Sequence, residues 1–314
     1  MASKTKLKEP KKTTIYSKKL SMDQLETLGE LLHSKGWNHY EVAYSLFAYK
    51  GDKVNVVGYK SGKLVVQGKN TETFVQDIIE AQITLAPELG YDEILHPSWF
   101  EDHAGMDESG KGDVFGPLVV CTVIAEGSMI REWIDQGIRD SKNVNSDRKI
   151  KNLAKIISST KGVVYKTGYA HMPKYNQFYE KIGNLNRMLA WFHAKALEDA
   201  YNRKKVPWAL LDQFSKQPLV QRQFNAPGFN LRMQTKAESD PVVAAASILA
   251  RAVYVEQMDR LSEKCGLELS KGASKKVREQ IAEIISKHGP RSLGDYAKLH
   301  FKPCKEALGI PLDG

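Results

Sequence analysis

The chain has 314 residues, of which 42% are hydrophobic and 26% charged, so it is long enough for two globular domains with separate cores. Its net charge of +9 suits a polyanionic partner such as a nucleic acid, although charge says nothing about the fold. The 3 cysteines lie far apart, which excludes a disulfide framework and a cysteine-based metal centre and favours a reducing compartment. No apolar run approaches the ~20 residues that span a bilayer, and the lysine-rich N-terminus lacks the apolar segment of a signal peptide, so we expect a cytoplasmic protein.

The N-terminal region predicts a tail followed by a helix. Residues 1–20 are rich in lysine and are expected to form a basic, flexible tail. Ser21 and Gln24 have the spacing of a capping box, which predicts that a helix begins there, and Gly36 ends its apolar stripe.

A β-rich segment follows this helix. Short turns separate its strand-like runs, which lie at about 42–50, 53–60 and 63–69. A second helix is predicted over about 71–83, so residues 21–85 should form one compact α+β module. Residues 86–104 contain prolines and have no clear periodicity, which favours a linker.

The remaining residues, 105–314, predict a second domain in which strands and helices alternate. Strands are expected at about 105–107, 116–126, 162–171 and 208–214. Helices are expected at about 146–158, 185–201, 241–263 and 274–288. This order favours an α/β fold with a mixed sheet flanked by helices.

The stretch GMDESGKGDVFGPLVV (105–120) has the glycine and lysine spacing of a phosphate-binding loop. Such a loop also needs Ser or Thr after the lysine and a helix behind it, whereas Gly112 follows Lys111 and an apolar, β-rich run comes next. Asp107 and Glu108 would also repel phosphates. An NTPase is therefore disfavoured.

A metal site accounts for more of these residues. Asp212 ends the otherwise apolar run WALLD, where a buried charge is costly unless it is paired or bound to a metal. Several carboxylates around a cleft favour oxygen-liking cations such as Mg²⁺ or Mn²⁺, and the candidates are Asp107, Glu108, Asp212, Glu238 and Asp240. Taken singly, each could be a solvated or helix-capping acid.

Five segments, in order from about residue 105 to 302, resemble motifs of the prokaryotic type 2 ribonucleases H: MDESGKGDVFGPLVV, IRDSKNVNSDRKI, LLDQF, TKAESDPVVAAASILAR and YAKLHFK. Within that group, Gly110-Lys111-Gly112, Asp212-Gln213-Phe214 and the extra N-terminal module look like ribonuclease HIII. The resemblance implies a ribonuclease H-like fold and an N-terminal module, similar to half of a TATA-binding protein, that helps to bind substrate. It also implies endonucleolytic hydrolysis of the RNA strand of RNA–DNA hybrids with Mg²⁺ or Mn²⁺, leaving 5′-phosphate and 3′-hydroxyl ends.

The resemblance carries catalytic, metal-binding roles to Asp107, Glu108 and Asp212. The fourth acid stays open, because Lys236-Ala237-Glu238 matches the family pattern with Glu in place of Asp, while the spacing to the alanine-rich helix is one residue short. We favour Glu238 and keep Asp240 as the alternative.

Substrate contacts are expected from the glycine-rich loop that follows Glu108 and from one lysine further along the chain. Gly110 and Gly112 would let the backbone approach the 2′-hydroxyls of RNA, and Ser109 could add a side-chain contact. Lys111 and Lys142 could contact phosphates.

The N-terminal module offers aromatic and basic residues for sequence-independent binding: Tyr49, Lys50, Tyr59 and Lys60. Some of its aromatic side chains must instead pack against the two helices. Elsewhere, His103, His193 and His300 have no ligand spacing, which predicts ordinary surface or core histidines.

Two alternatives remain beside the hybrid nuclease, which is expected to be a monomer. One is a non-catalytic hybrid-binding protein, which the intact set of acids argues against. The other is cleavage at single ribonucleotides in DNA, as in ribonuclease HII, which Lys111 and the N-terminal module argue against through the resemblance alone.

Overall fold

The computed structural model of the chain describes residues 13–138 and 146–311. The chain divides between Ser98 and Trp99 into two compact units. This division falls inside the segment that the sequence predicts to be a linker.

The first unit is an antiparallel sheet with helices on one face. Its strands are β1 (Ile15–Lys19), β2 (Asn38–His39), β3 (Ser45–Gly51), β4 (Val54–Tyr59) and β5 (Lys63–Gly68). They pair in the order β1-β5-β4-β3-β2. Its helices are α1 (Met22–Ser34) and α2 (Thr71–Phe74), and α2 continues in π-helical geometry over Val75–Thr84.

Strand β1 corrects the prediction of a flexible tail for residues 13–20, whereas residues 1–12 of that predicted tail lie outside the described residues. Ile15–Lys19 pair antiparallel with β5, and Tyr16 packs against the core of the unit. Every second side chain of this segment is more exposed, as in a strand, but the many lysines made this alternation hard to recognise in the sequence. Residues 13–20 therefore belong to the folded module.

The capping box at the start of α1 is confirmed. The Ser21 hydroxyl accepts from the backbone N–H of Gln24 at 3.2 Å, and the Gln24 side chain accepts from the N–H of Ser21 at 3.1 Å. Leu25, Leu28 and Leu32 are fully buried on the side of the helix that faces the sheet. The apolar stripe read from the sequence is thus the stripe that α1 buries.

The predicted linker, 86–104, contains regular structure. Helix α3 (Asp92–Leu95) and a 3₁₀ turn over Pro97–Phe100 lie within it, and the first strand of the second unit begins at His103.

The second unit is a mixed sheet between two layers of helices. Its strands are β6 (His103–Ser109), β7 (Val119–Ala125), β8 (Val164–Tyr169), β9 (Trp208–Asp212) and β10 (Asn230–Gln234). They pair in the order β10-β9-β6-β7-β8, with β6, β9 and β10 parallel and β7 antiparallel to both of its neighbours. The edge strand β10 was not predicted.

The helices of this unit are α4 (Gly127–Asp135), α5 (Asp147–Ser159), α6 (Met172–Ile182), α7 (Leu185–Arg203), α8 (Pro241–Cys265), α9 (Lys275–His288) and α10 (Lys302–Ala307). In the described ranges, no helix has the length and apolar character needed to cross a membrane.

Strand β6 lies at the centre of this sheet and contacts a different helix on each face. Gly105 lies against the N-terminal turn of α8, where a Cβ atom would be 2.3 Å from the carbonyl carbon of Val242. Met106 packs on the other face with small apolar residues of α7. Because side chains alternate along a strand, Asp107 faces the α8 side and Glu108 the α7 side.

Replacing Gly105 with alanine should lower the free energy of unfolding by about 3 kcal/mol, because the added methyl group would overlap the backbone of α8. Urea denaturation measures this. Gly112→Ala is the matched control, since its Cβ would have no atom within 4 Å, and it should stay within about 1 kcal/mol of the wild type. Equal stability of the two variants would contradict the close packing of α8 on β6.

Candidate active site

Two of the predicted acids lie side by side on the central strands. Met106 of β6 is in register with Leu211 of β9, so Asp107 and Asp212 are the next residues along two parallel neighbours. Adjacent strands lie about 4.8 Å apart, and residues in register point to the same face. The fold therefore brings together two carboxylates that are more than a hundred residues apart in sequence.

Asp107 is buried in an environment that opposes its charge. Its side chain is 9% exposed, and it accepts hydrogen bonds from the Ser247 hydroxyl and, at 2.8 Å, from the backbone N–H of Glu108. Burial, followed by repulsion from Glu108 and Asp212, nevertheless raises the pKa of Asp107 to about 7. The carboxylates are thus close enough to repel one another.

Glu108 lies on the opposite face of β6, and its two carboxylate oxygens contact the side chains of a histidine and a lysine. Its Oε2 is 3.2 Å from Nε2 of His193 on α7. Its Oε1 is 3.8 Å from Nζ of Lys111. The sequence pattern did not indicate His193, because the contact joins residues in different elements.

Asp212 is anchored at the end of β9. Its Oδ1 accepts a hydrogen bond from the backbone N–H of Ala237 at 3.0 Å. Ala237 begins a 3₁₀ turn, Ala237–Ser239, that leads into α8 and contains the half-buried Glu238. This hydrogen bond brings the turn that carries Glu238 next to Asp212.

Asp240, the alternative fourth acid, has a structural environment. Its Oδ1 caps α8 by accepting from the N–H groups of Val242 and Val243 at 2.8 and 3.2 Å. Its carboxylate also contacts Nε2 of His103 at 3.2 Å, and both side chains are almost completely buried. The ring of His103 stacks on Trp208 with 4.2 Å between centroids.

The glycine-rich loop after β6 contains two different kinds of glycine. Gly110 has a φ of +85°, and a Cβ atom there would lie 2.4 Å from the carbonyl oxygen of Pro117, so the fold itself requires glycine. Gly112 is exposed and has open space where a Cβ would be. Ser109 ends β6 and is half-buried, and Lys111 lies 5.3 Å from the ring centroid of Phe214.

Of the other predicted substrate contacts, Lys142 lies outside the described residues. The prediction that Tyr49 contacts the substrate is wrong, because Tyr49 is 7% exposed and packs in the core between the sheet and the helices of the first unit. Lys50 and Lys60 are exposed, and Tyr59 is half-buried on the face of the sheet away from those helices. Only these three can contribute to an exposed surface.

The donor set fits a divalent cation. Among the residues that the structure describes, no three His, Cys, Asp or Glu side chains are already gathered closely enough to ligate one ion. The electrostatics nevertheless favour a cation, because a buried Asp107 repelled by Glu108 and Asp212 is stabilised by positive charge. Carboxylate oxygens are also the ligands that Mg²⁺ and Mn²⁺ prefer.

In the metal-free protein, Asp107→Asn should become more stable relative to the wild type as the pH rises. The folded-state pKa of about 7 lies above the ordinary value of 3.8, so the wild type loses stability between these values while the Asn variant does not. The difference should grow by on the order of a few kcal/mol between about pH 4 and pH 8, measured by denaturation in a chelator. The exposed Asp135→Asn is the control, and a difference independent of pH would contradict the burial of a charged Asp107.

Comparison with known proteins identifies the family. Residues 104–304 match the family model for ribonuclease HII, and residues 17–85 match a domain of unknown function, DUF3378. The chain is 33% identical to ribonuclease HIII of Protochlamydia amoebophila, over 92% of this chain and 95% of that protein. It is 36% identical to ribonuclease HIII of Chlamydia muridarum, over 94% and 98%.

Solved structures agree. Bst-RNase HIII in complex with Mn²⁺ matches with a TM-score of 0.65 at 30% identity, over 94% of this chain and 98% of that chain. Aquifex aeolicus RNase H3 matches with a TM-score of 0.55 at 27% identity, over 91% and 100%. The predicted ribonuclease H-like fold is confirmed. Since the family model covers most of the chain and the relatives span nearly all of it, the chain belongs to the ribonuclease HIII family.

Proposed function

We propose that this ribonuclease H hydrolyses the RNA strand of RNA–DNA hybrids endonucleolytically, by two-metal-ion catalysis, and leaves 5′-phosphate and 3′-hydroxyl ends. The observation that carries the proposal is the buried Asp107 on the central strand, repelled by Glu108 and Asp212. Such a cluster would destabilise a purely structural core, because burying like charges is unfavourable unless a cation or substrate compensates.

The cofactor is Mg²⁺ or Mn²⁺, and Bst-RNase HIII has been solved in complex with Mn²⁺. Asp107, Glu108 and Asp212 would hold the ions, and Glu238 is the proposed fourth acid because Asp240 is committed to capping α8 and to His103. When bound, two divalent ions supply a hydroxide nucleophile and charge stabilisation at phosphorus and at the leaving oxygen.

The chain itself holds the acids in position. The Ser247 hydroxyl and the N–H of Glu108 restrain the carboxylate of Asp107, and the N–H of Ala237 restrains one oxygen of Asp212. These groups lie on β6, on α8 and on the 3₁₀ turn that leads into α8, all within the second unit. Such restraint reduces the reorganisation that the reaction requires.

The glycine-rich loop is proposed to recognise the ribose. The fold gives no steric reason for glycine at position 112, since a Cβ there would meet nothing within 4 Å. Close approach of a 2′-hydroxyl to the backbone supplies that reason, because only this group distinguishes RNA from DNA at a given sugar. Lys111, beside this glycine, would contact a phosphate.

The first unit is proposed to bind the hybrid backbone. Lys50 and Lys60 are exposed, and Lys19 and Lys63, paired across β1 and β5, are exposed on the sheet face opposite the helices. Lysines at these positions neutralise phosphates without reading sequence.

Cleavage assays test the nuclease. With Mg²⁺ or Mn²⁺, the wild type should cut a continuous RNA–DNA hybrid, and Asp107→Asn and Asp212→Asn should each lower kcat by about 10³-fold or more, since each removes charge stabilisation of several kcal/mol. Asp135→Asn, an exposed acid outside the cluster, should keep wild-type activity. Binding without cutting would favour a hybrid-binding protein, and efficient cutting of DNA with one embedded ribonucleotide would favour ribonuclease HII-like specificity.

Salt titrations test the first unit. Lys50→Ala combined with Lys60→Ala should weaken hybrid binding and reduce the slope of log K against log salt by about 1 for each lost phosphate contact. Lys35→Ala, an exposed lysine that follows α1, should leave the slope unchanged. Equal slopes for the wild type and the double variant would show that these lysines do not face the nucleic acid.

A further inference from the structure

His193 is a fully buried polar residue in the middle of α7. The neighbouring buried residues of this helix are alanine, leucine, methionine and phenylalanine, which pack against the sheet. A buried histidine among apolar residues is costly unless its ring nitrogens have partners. Its Nε2 lies 3.2 Å from Oε2 of Glu108, across the face of β6.

The burial of the second ring nitrogen determines which nitrogen carries the proton. Within the described residues, Nδ1 of His193 is buried and has no hydrogen-bond partner. A buried N–H without an acceptor costs about 1–3 kcal/mol, so a proton on Nδ1 is unfavourable. The neutral ring with its proton on Nε2 avoids this cost, and it makes His193 the donor and Glu108 the acceptor.

The ring of His193 is itself held in place. It stacks on Phe214 with 5.6 Å between centroids and an interplanar angle of 12°. Lys111 lies 5.3 Å from the centroid of the same phenylalanine and 3.8 Å from Oε1 of Glu108. The two oxygens of Glu108 therefore have different partners, and Phe214 contacts both of those partners.

The strand geometry explains why Glu108 needs such support. Asp107 and Asp212 share the α8 face of the sheet, whereas alternation directs Glu108 to the α7 face. A flexible glutamate on that face could turn away from the other acids. The contact with His193 restricts it.

We propose that His193 is a positioning residue that fixes the rotamer of Glu108 before metal and substrate bind. This inference rests on the proposed role of Glu108 as a metal ligand. It assigns His193 no contact with the substrate or the reacting atoms. Partners of this kind behind a ligand typically change metal affinity or activity by 10- to 100-fold when removed.

The test compares two substitutions. His193→Leu fills the site but cannot donate, whereas His193→Gln can place an amide donor near the position of Nε2. The leucine variant should bind Mn²⁺ about 10- to 100-fold more weakly by calorimetry without substrate, and lower kcat by a similar factor with KM for the hybrid within about 2-fold. The glutamine variant should restore both to within a few-fold. His300→Leu, a half-buried histidine that hydrogen-bonds to Tyr175, is the control and should change neither.

A measurement on the wild type adds a readout that requires no metal. Nitrogen-15 NMR in a chelator should find His193 protonated on Nε2, and protonation on Nδ1 alone would overturn the proposal even if the leucine variant failed to fold. Mn²⁺ binding and kcat of the leucine variant equal to wild type would also overturn it. If the wild type bound Mn²⁺ but cut no hybrid, the proposed function would fail while the binding isotherms still decided the role of His193. A wild type that bound no Mn²⁺ would overturn both.

Discussion

The close contact between α8 and the central strand β6 is the constraint on which the candidate site depends. Gly105 allows the N-terminal turn of α8 to touch the strand backbone, and Ser247, about one turn further along the helix, then reaches Asp107. The same helix start requires a cap, which Asp240 provides, and the preceding turn supplies the N–H that holds Asp212. One helix–strand contact thus positions two acids and engages a third, Asp240, as a helix cap.

Two of these acids and several helices could be predicted from the sequence. Asp212 ends the apolar run WALLD, which is typical of a strand buried on both faces, and Asp107 lies in the glycine-rich stretch 105–120 that already suggested a binding site. The helices α1, α5, α7, α8 and α9 were also predicted near their observed bounds, because each has either a cap or a long apolar stripe. Local chemistry was sufficient for these elements.

Features that depend on partners distant in sequence were not predicted. Strand β1 exists because β5 offers it an edge, and β10 because β9 does, and neither segment has a strong strand pattern alone. Tyr49 and Lys50 could not both face a ligand, since alternation places them on opposite sides, but only the packing of α1 shows which side is buried. His193 lacks any local signal, because its partner Glu108 is 85 residues away.

The two faces of β6 also have a consequence for the folding of the chain. Asp107 depends on the apolar layer built from α8 and its neighbours, and Glu108 on the separate layer built from α7. Loss of either layer by local unfolding would remove one acid from the cluster, although the other layer could remain intact. If these acids act together as proposed, a chain emerging from the ribosome acquires the capacity to cut RNA only when both layers have formed.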